Sequence, residues 1–368
     1  MESLLLLLFF PLAWPFIAKR IWSHTINWQE MALQILIVVS LTTGVWQLGK
    51  YGQMADTEIW NGEVISKLRE HGHYVRSYEC NCHEVCSGDD ENESCSSECD
   101  TCYEDHYTVK WSADTTVGGI IFDEKDSTWR SVYNSPDPPA FVRCTPHEPA
   151  SLPKRYTNYI QAVPESLFNT HQDLSVLYKD MIPEYPKVYD FYKIDRIIDV
   201  GAGLTPEVHK ILNDGLNHEL IALGHSKQTN IILFVTNIKD PMYRYAIENA
   251  WLGGKKNDVI AFIGTENNKI IWTDVMTWAL NSGNELFQVT TRDDLKKIGE
   301  INPTKVVSVI SENIAKHYDR PQMKDYQYLE SSIEPPAWVI VFSVILSVGG
   351  SLGLTVIFHR TDIDFLNR

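Results

Sequence analysis

Positive charge is scarce in this chain: 32 Lys and Arg stand against 48 Asp and Glu in 368 residues, a formal net charge of −16. A surface of that sign repels phosphate backbones and anionic head groups, which excludes nucleic acid and favours cations and basic proteins as partners. Cysteine is almost confined to one window, with six of the seven between Cys80 and Cys102 and Cys144 apart. Catalytic signatures are lacking as well. No Ser or Cys nucleophile is placed with a base, so the residues make no case for covalent catalysis. Charge of either sign is missing from the stretch Ala337 to Phe358.

That stretch, about 22 residues at about 1.5 Å each, covers a hydrocarbon core of roughly 30 Å and predicts a transmembrane helix over 337–358. It opens after Pro335 and Pro336, carries Trp338 at the interface and ends at His359 and Arg360. Gly349 and Gly353 form a small-xxx-small pattern that favours helix pairing, and with it a homo-oligomer through this helix. A second helix is expected over 31–48, with Trp28 and Trp46 near its ends. The first apolar segment, Leu4 to Ala18, contains Pro11 and Pro15. A signal-peptide core, a short spanning helix and an interfacial anchor are its three readings. Glu2, the lack of Lys or Arg before it and the lack of a small-residue cleavage pattern favour a retained helix.

The division follows: a first apolar segment with a short loop (1–30), a transmembrane helix (31–48), a body in two parts (49–167 and 168–330), a transmembrane helix (337–358) and a tail (359–368). Lys19, Arg20 and His24 lie between the first two segments and Arg360 and Arg368 follow the last, whereas Lys50 alone flanks the other side. The positive-inside rule therefore makes loop and tail cytoplasmic, and puts the body in the periplasm if the membrane is a bacterial inner membrane. Residues 1–50 carry a net +1 and residues 336–368 net zero, so −17 belongs to the body.

The cysteines Cys80, Cys82, Cys86, Cys95, Cys99 and Cys102 have two readings. A zinc site would use four thiolates, with His83 or His106 as substitutes, and the Cys99-x2-Cys102 spacing suits it. Disulfides need only an oxidising compartment, and the inferred topology supplies one; this reading is preferred, with the pairing left open. Cys144 is then a buried free thiol or a partner that displaces one of the six. Between the cysteine halves, 87–94 resembles a calcium run in composition but lacks the EF-hand register, so it reads as an acidic hairpin tip. Asn92-Glu93-Ser94 is a glycosylation sequon, relevant only in a eukaryotic secretory pathway.

Alternating β-rich stretches, Glu63 to Glu79 and Tyr107 to Asp114, flank the block and predict one long hairpin with the cysteines at its tip. Gly118 to Phe122 and Trp129 to Tyr133 suggest further strands. Six prolines between Asn134 and Pro153 predict an extended connector. From Ile194 the pattern alternates strand and helix. Strands are expected over 194–200, 231–235, 259–263 and 269–275. Helices are expected from Thr205-Pro206-Glu207 to near Gly224, over 241–252, and over 303–318, the last burying Val306, Val309, Ile310 and Ile314. The fold class is thus an α+β membrane protein: a cysteine-rich β subdomain followed by a small α/β sandwich, flanked by transmembrane helices.

Asp199-Val200-Gly201-Ala202-Gly203-Leu204 and its helix, Ile231 to Val235, Tyr245-Ala246, Trp251 to Gly254, and Asn257-Asp258-Val259-Ile260 together resemble the TPM domain, a membrane-tethered α/β module of bacteria. The resemblance covers residues 190–320; Trp272-Thr273-Asp274 replaces the family's usual glycine-containing turn. The cysteine-rich half with its flanking helices is also similar to uncharacterised membrane proteins of tailed bacteriophages. The TPM resemblance would allow a metal-dependent phosphatase-like hydrolase. Asp240, Asp258 and Asp274, near strand ends, are the candidate metal ligands for calcium or magnesium, against their reading as caps of helices and turns. No catalytic residue and no certain cofactor is assigned. Gly201-Ala202-Gly203 lacks the third glycine and the acidic residue of a dinucleotide loop and reads as a tight turn; His209, His218 and His225 lack paired-ligand spacing. The preferred function is a membrane-anchored extracytoplasmic binding or assembly module with a protein partner.

Overall fold

The computed structural model describes residues 2–87, 94–122, 131–132, 135–163, 172–278 and 284–361. Three helices, α1 (Glu2–Ile21), α2 (Trp28–Met54) and a late helix Ala337–Arg360, are long and apolar enough to cross a membrane. The second exceeds its expected 31–48 at both ends. Asn27 and Glu30 form a reciprocal capping box that starts it at Trp28, and it then runs to Met54 and passes directly into the first strand. Pro11 and Pro15 both lie inside α1.

The three helices pack along a polar seam. On the late helix, Ser343, Ser347, Ser351 and Thr355 recur every fourth residue and are buried. Gln34 donates to the Ser351 carbonyl (2.7 Å) and to Thr355 (3.0 Å), and Trp14 donates to Thr355 (3.0 Å). Pro11 has no N–H, so the Leu7 carbonyl lacks its helical donor; Ser347 Oγ supplies one at 2.7 Å. The expected small-residue contact is not made within the chain, since a Cβ on Gly349 or Gly353 would meet nothing within 4 Å. Trp46 donates to Ser3 (2.9 Å) and Ser3 in turn to Glu334, so the start of α1, the end of α2 and the start of the late helix share one end. Thr25 meets His359 (2.9 Å) at the other.

The next part is a sheet built on one long hairpin. β1 (Ala55–Ser87) pairs antiparallel with β2 (Ser94–Thr115), as expected, with Cys80 and Cys102, and Cys82 and Cys99, at disulfide distance near the tip. The backbone register sets Cys86 opposite Cys95. The acidic tip, the sequon and part of the expected strand 129–133 lie outside the described residues; β3 (Gly118–Ile121) and β4 (Ser131–Val132) both pair with β2. The proline-rich connector is a correction. It contains a short helix α3 (Pro139–Arg143) and a nine-residue strand β5 (Pro149–Thr157) that pairs with Ala55–Glu63 of β1. β5 ends the order β3-β2-β1-β5, and an edge strand tolerates Pro149 and Pro153 because no described strand pairs along its outer side, where Ser151 N–H between them donates to the Tyr192 carbonyl (2.9 Å). Val64, Val109, Trp111, Phe122, Phe141 and Tyr192 fill the core, which also buries Cys144 as a free thiol.

After α4 (Gln172–Leu177) and a small ribbon, β6 (Val188–Tyr189) and β7 (Lys193–Ile194), the chain forms the expected α/β layer. Its strands are β8 (Ile197–Val200), β9 (Asn230–Thr236), β10 (Asp258–Glu266) and β11 (Lys269–Met276), in the order β11-β10-β9-β8, with the first three parallel and β11 antiparallel. Asn267 and Asn268, both at positive φ (51° and 65°), make the two-residue turn before β11. Every residue of β9 is buried. Its alternate side chains feed two cores. Ile231, Leu233 and Val235 meet α5 (Pro206–Lys227), α7 (Asn284–Lys297) and α8 (Pro303–His317), whereas Ile232 and Phe234 meet α6 (Tyr243–Ala250). The crossovers through α5 and α6 step the same way across the sheet on opposite faces, so they are of opposite hand. α7 has no counterpart in the expected elements. The last helix is α9 (Ala337–Arg360).

Thr205 caps α5 through Val208 N–H, with Pro206 in its first turn as expected. The helix does not end near Gly224, however; it continues to Lys227 and closes with Gln228 in the left-handed region (φ 51°). Gly224 has another role. A Cβ there would lie 2.0 Å from the Asn61 carbonyl oxygen, so only glycine lets α5 lie against β1.

Candidate functional site

Asp240, Asp258 and Asp274 do not come together. The only group of three potential ligand side chains found close together among the described residues is Glu79, Cys82 and Cys99, and its two sulfurs face each other at disulfide distance. Asp258 opens β10, at the opposite end of the parallel strands from Asp240, which follows β9. Ligands of α/β sheets gather at the carboxyl ends, so Asp258 stands at the wrong edge for such a site. Each carboxylate has a local partner instead. Asp240 accepts from Met242 N–H (2.9 Å) at the start of α6 and from Tyr178 (2.8 Å). Asp274 accepts from Val275 N–H (2.8 Å) and lies 3.6 Å from Arg244 Nε.

Asp258 belongs to a buried polar network that joins the two parts of the body. Its oxygens accept from Asn230 (2.8 Å), from Tyr185 (2.9 and 3.0 Å) and from Lys255 N–H (2.7 Å). Burial nevertheless dominates and pushes its pKa up to about 6. Asn230 also accepts from Arg196, a fully buried guanidinium that donates further to Asn217 (2.7 Å), Ser151 (2.8 Å), Asn61 and the Ile231 carbonyl (3.1 Å). Burial among these neutral partners pulls the Arg196 pKa down to about 9.

Around this centre runs a belt of ion pairs close to the ends of the apolar helices. Glu58, four residues after Met54, is 2% exposed and faces Lys256 (3.4 Å) and Arg320. Asp56 meets Lys255 (2.9 Å), Tyr156 (2.8 Å) and Asn158 (2.8 Å); burial alone would raise its pKa, but Lys255 and these donors hold it below the ordinary value. Beside the belt opens a cleft of about 850 Å³, lined by Thr57, Pro153, Ile182, Tyr185, Trp251 and Lys255. Its charged groups are neutralised in pairs, Lys255 by Asp56 and Lys187 by Glu184. The junction therefore holds the parts of the body in one arrangement. It offers no aligned nucleophile.

The tight-turn reading of Gly201-Ala202-Gly203 accords with the geometry. The Asp199 carboxylate takes the N–H groups of Ala202 (2.7 Å), Gly203 (3.2 Å) and Leu204 (2.7 Å), the donors that a phosphate would need. His209 faces Asp195 (3.3 Å) and His218 lines a separate groove with Glu148 and Asp214.

What reaches outward is the hairpin. Beyond the Thr108–Val132 pair, toward the tip, no described strand joins β1 or β2, so residues 73–87 and 94–107 form a two-stranded arm of roughly 45 Å at about 3.3 Å per residue. Isolated two-stranded ribbons are marginal in water, and two cross-strand sulfur pairs near the tip compensate. Tyr74, Val75, Tyr78, Tyr103 and Tyr107 are exposed on it, and Tyr103 at 73% is the most open. Between residues 73 and 107 the sequence has ten acidic residues and one basic residue other than His, Arg76. The residues of the junction, Asn61, Ser151, Tyr185 and Arg196, escape sequence reasoning. The only signals are Asn230 and Asn257-Asp258 heading wholly apolar strands. No family model matches the chain, and neither a curated protein nor a solved structure matches it.

Proposed function

We propose that this protein is a membrane-anchored binding or assembly module that acts through its stapled arm. The observation that carries the reading is an arm with both faces in solvent, exposed tyrosines and strong acidic charge, on a body joined to three apolar helices. In this reading α1, α2 and α9 cross a membrane. Lys19, Arg20, His24, His359 and Arg360 gather at the end marked by the Thr25–His359 contact, which supports reading that end as cytoplasmic and the body as periplasmic, in a bacterial inner membrane. Sulfur pairing suits that compartment. The succession β8-α5-β9-α6-β10-β11 supports the TPM-like assignment, and the bacteriophage relation is the source we propose for the whole chain. The hydrolase alternative gains nothing from the geometry, because the three aspartates are dispersed.

The test is site-specific photo-crosslinking in native membranes, with the photoreactive residue at Tyr103 on the arm or at Lys210 on the body. A discrete protein adduct from position 103 that position 210 does not give is the expected result. Identical adduct patterns from both positions, or none from 103, would remove the arm from the function.

A further inference from the structure

The outer edge of β2 carries the most specific recognition information on the arm. At its base this edge is already occupied: β3 pairs with Ser112–Thr115 and β4 with Thr108–Val109. Beyond Tyr107, toward the tip, no described strand continues that line. Unpaired N–H and C=O groups along such an edge are a template for one more strand. Directly opposed residues share a face, so His73, Val75 and Ser77 lie on the same face as Tyr107, Asp105 and Tyr103. Along β2 this gives Tyr103 and Asp105 two residues and about 7 Å apart; the next in the row, Tyr107, packs on the His73 ring (4.9 Å) and His73 also meets Asp105 Oδ1 (2.9 Å), so the row is offered outward by Tyr103, 73% exposed, and by the rest of the Asp105 carboxylate. An extended peptide repeats its side chains at the same spacing.

We infer that the arm accepts, along the outer edge of β2, an extended basic segment of a partner protein as an added strand. The inference rests on the reading of the arm as the binding element. Backbone pairing would continue the line of β3 and β4, and alternate Arg or Lys side chains of the incoming strand would cover the ring face of Tyr103 and meet Asp105 through the oxygen that His73 leaves. A second copy of this chain is the wrong occupant. The six acidic residues in 73–87 and 94–107, relieved among Lys and Arg by Arg76 alone, repel the same set on another arm. The charge that keeps copies apart selects a basic strand.

The full chain in lipid nanodiscs can be titrated with a fluorescent decapeptide of alternating Arg and Val. The same peptide N-methylated on alternate residues, which cannot pair as a strand, and an alternating Glu–Val peptide are the comparisons. The parent peptide is expected to bind, each comparison at least about tenfold more weakly, and Tyr103→Ser to weaken the parent several-fold. Hydrogen exchange should slow at β2 amides between Cys95 and Tyr107 and stay unchanged on the outer edge of β1. Equal affinity of the N-methylated peptide, protection on β1 rather than β2, indifference to Tyr103→Ser, or concentration-dependent dimerisation through the arm would each overturn the inference. If Tyr103 captures a partner in membranes while N-methylation makes no difference, strand addition falls and the binding function stands.

Discussion

Replacing Asp258 with Asn should favour the body more and more, relative to the parent, as the pH rises toward neutrality, because it removes a buried charge that has three kinds of hydrogen-bond donor around it. The Asp258 carboxyl is 1% exposed and its pKa rises from 3.8 to about 6, chiefly by burial. The folded state thus holds this proton more tightly than the unfolded chain does. Protonation favours folding, and the charged form at neutral pH costs up to ~3 kcal/mol, at about 1.36 kcal/mol for each pH unit between the two values. That cost is absent below the unfolded value of 3.8, grows as the pH rises, and is complete above about 6. The amide introduced by Asp258→Asn has one acceptor oxygen where the carboxylate offers Oδ1 to Asn230 and Oδ2 to Lys255 N–H, so one of these donors loses its acceptor; that loss, on the order of 1–3 kcal/mol, is the same at every pH and shifts the whole difference curve without changing its slope.

Other groups, Asp56 among them, titrate in the opposite sense, so the informative quantity is the difference between variant and parent at each pH. Denaturant unfolding of the full chain in nanodiscs, followed by tryptophan fluorescence, gives that difference. Trp251 lies 5.2 Å from the Tyr185 ring and reports on the site directly. The stability of Asp258→Asn relative to the parent should rise by ~2–3 kcal/mol between pH 4 and pH 7.5. A difference that is flat over this range, or that shrinks as pH rises, would refute the account of Asp258 as a carboxylate dominated by burial.

Other consequences are sharper in structure than in size. Gly224→Ala puts a Cβ 2.0 Å from the Asn61 carbonyl and should cost on the order of 2–4 kcal/mol in the same unfolding assay, whereas Ala222→Gly two residues away should cost ~1 kcal/mol. Ser347→Ala leaves the Leu7 carbonyl without a donor and should weaken the three-helix bundle by ~1 kcal/mol; adding Pro11→Ala, which restores a helical N–H, should recover most of it, and an additive double mutant would show that the bond is unimportant. Thiol titration of denatured, unreduced protein from native membranes should find three or fewer free thiols, because four of the seven cysteines pair, with Cys144 unreactive until denaturation. Six or seven thiols would return the cluster to zinc.

The three apolar helices were legible because a run of apolar residues long enough to span a bilayer is a local property, and the cap at Thr205 with Pro206 and the turn at Asn267 with Asn268 are local too; the Asn27–Glu30 box is equally local but went unread, so the second helix starts earlier than expected. The hairpin was legible for a related reason, since its strands are neighbours in sequence and the cysteines mark its tip. β5 was not. Prolines argue against a strand until it is known that this strand lies at an edge, and that is decided by its partner, β1, some way upstream. The same holds for the junction: Asn61 reaches Asn230 across 169 positions and Arg196 reaches Asn61 across 135, and no periodicity connects such residues. Sequence alone determined which segments are apolar, which turn and which carry charge, because each of these is settled by adjacent residues. Only the tertiary structure decided that Asp258 is buried rather than poised beside Asp240 and Asp274, because burial of one carboxylate depends on which distant chain segments close over it.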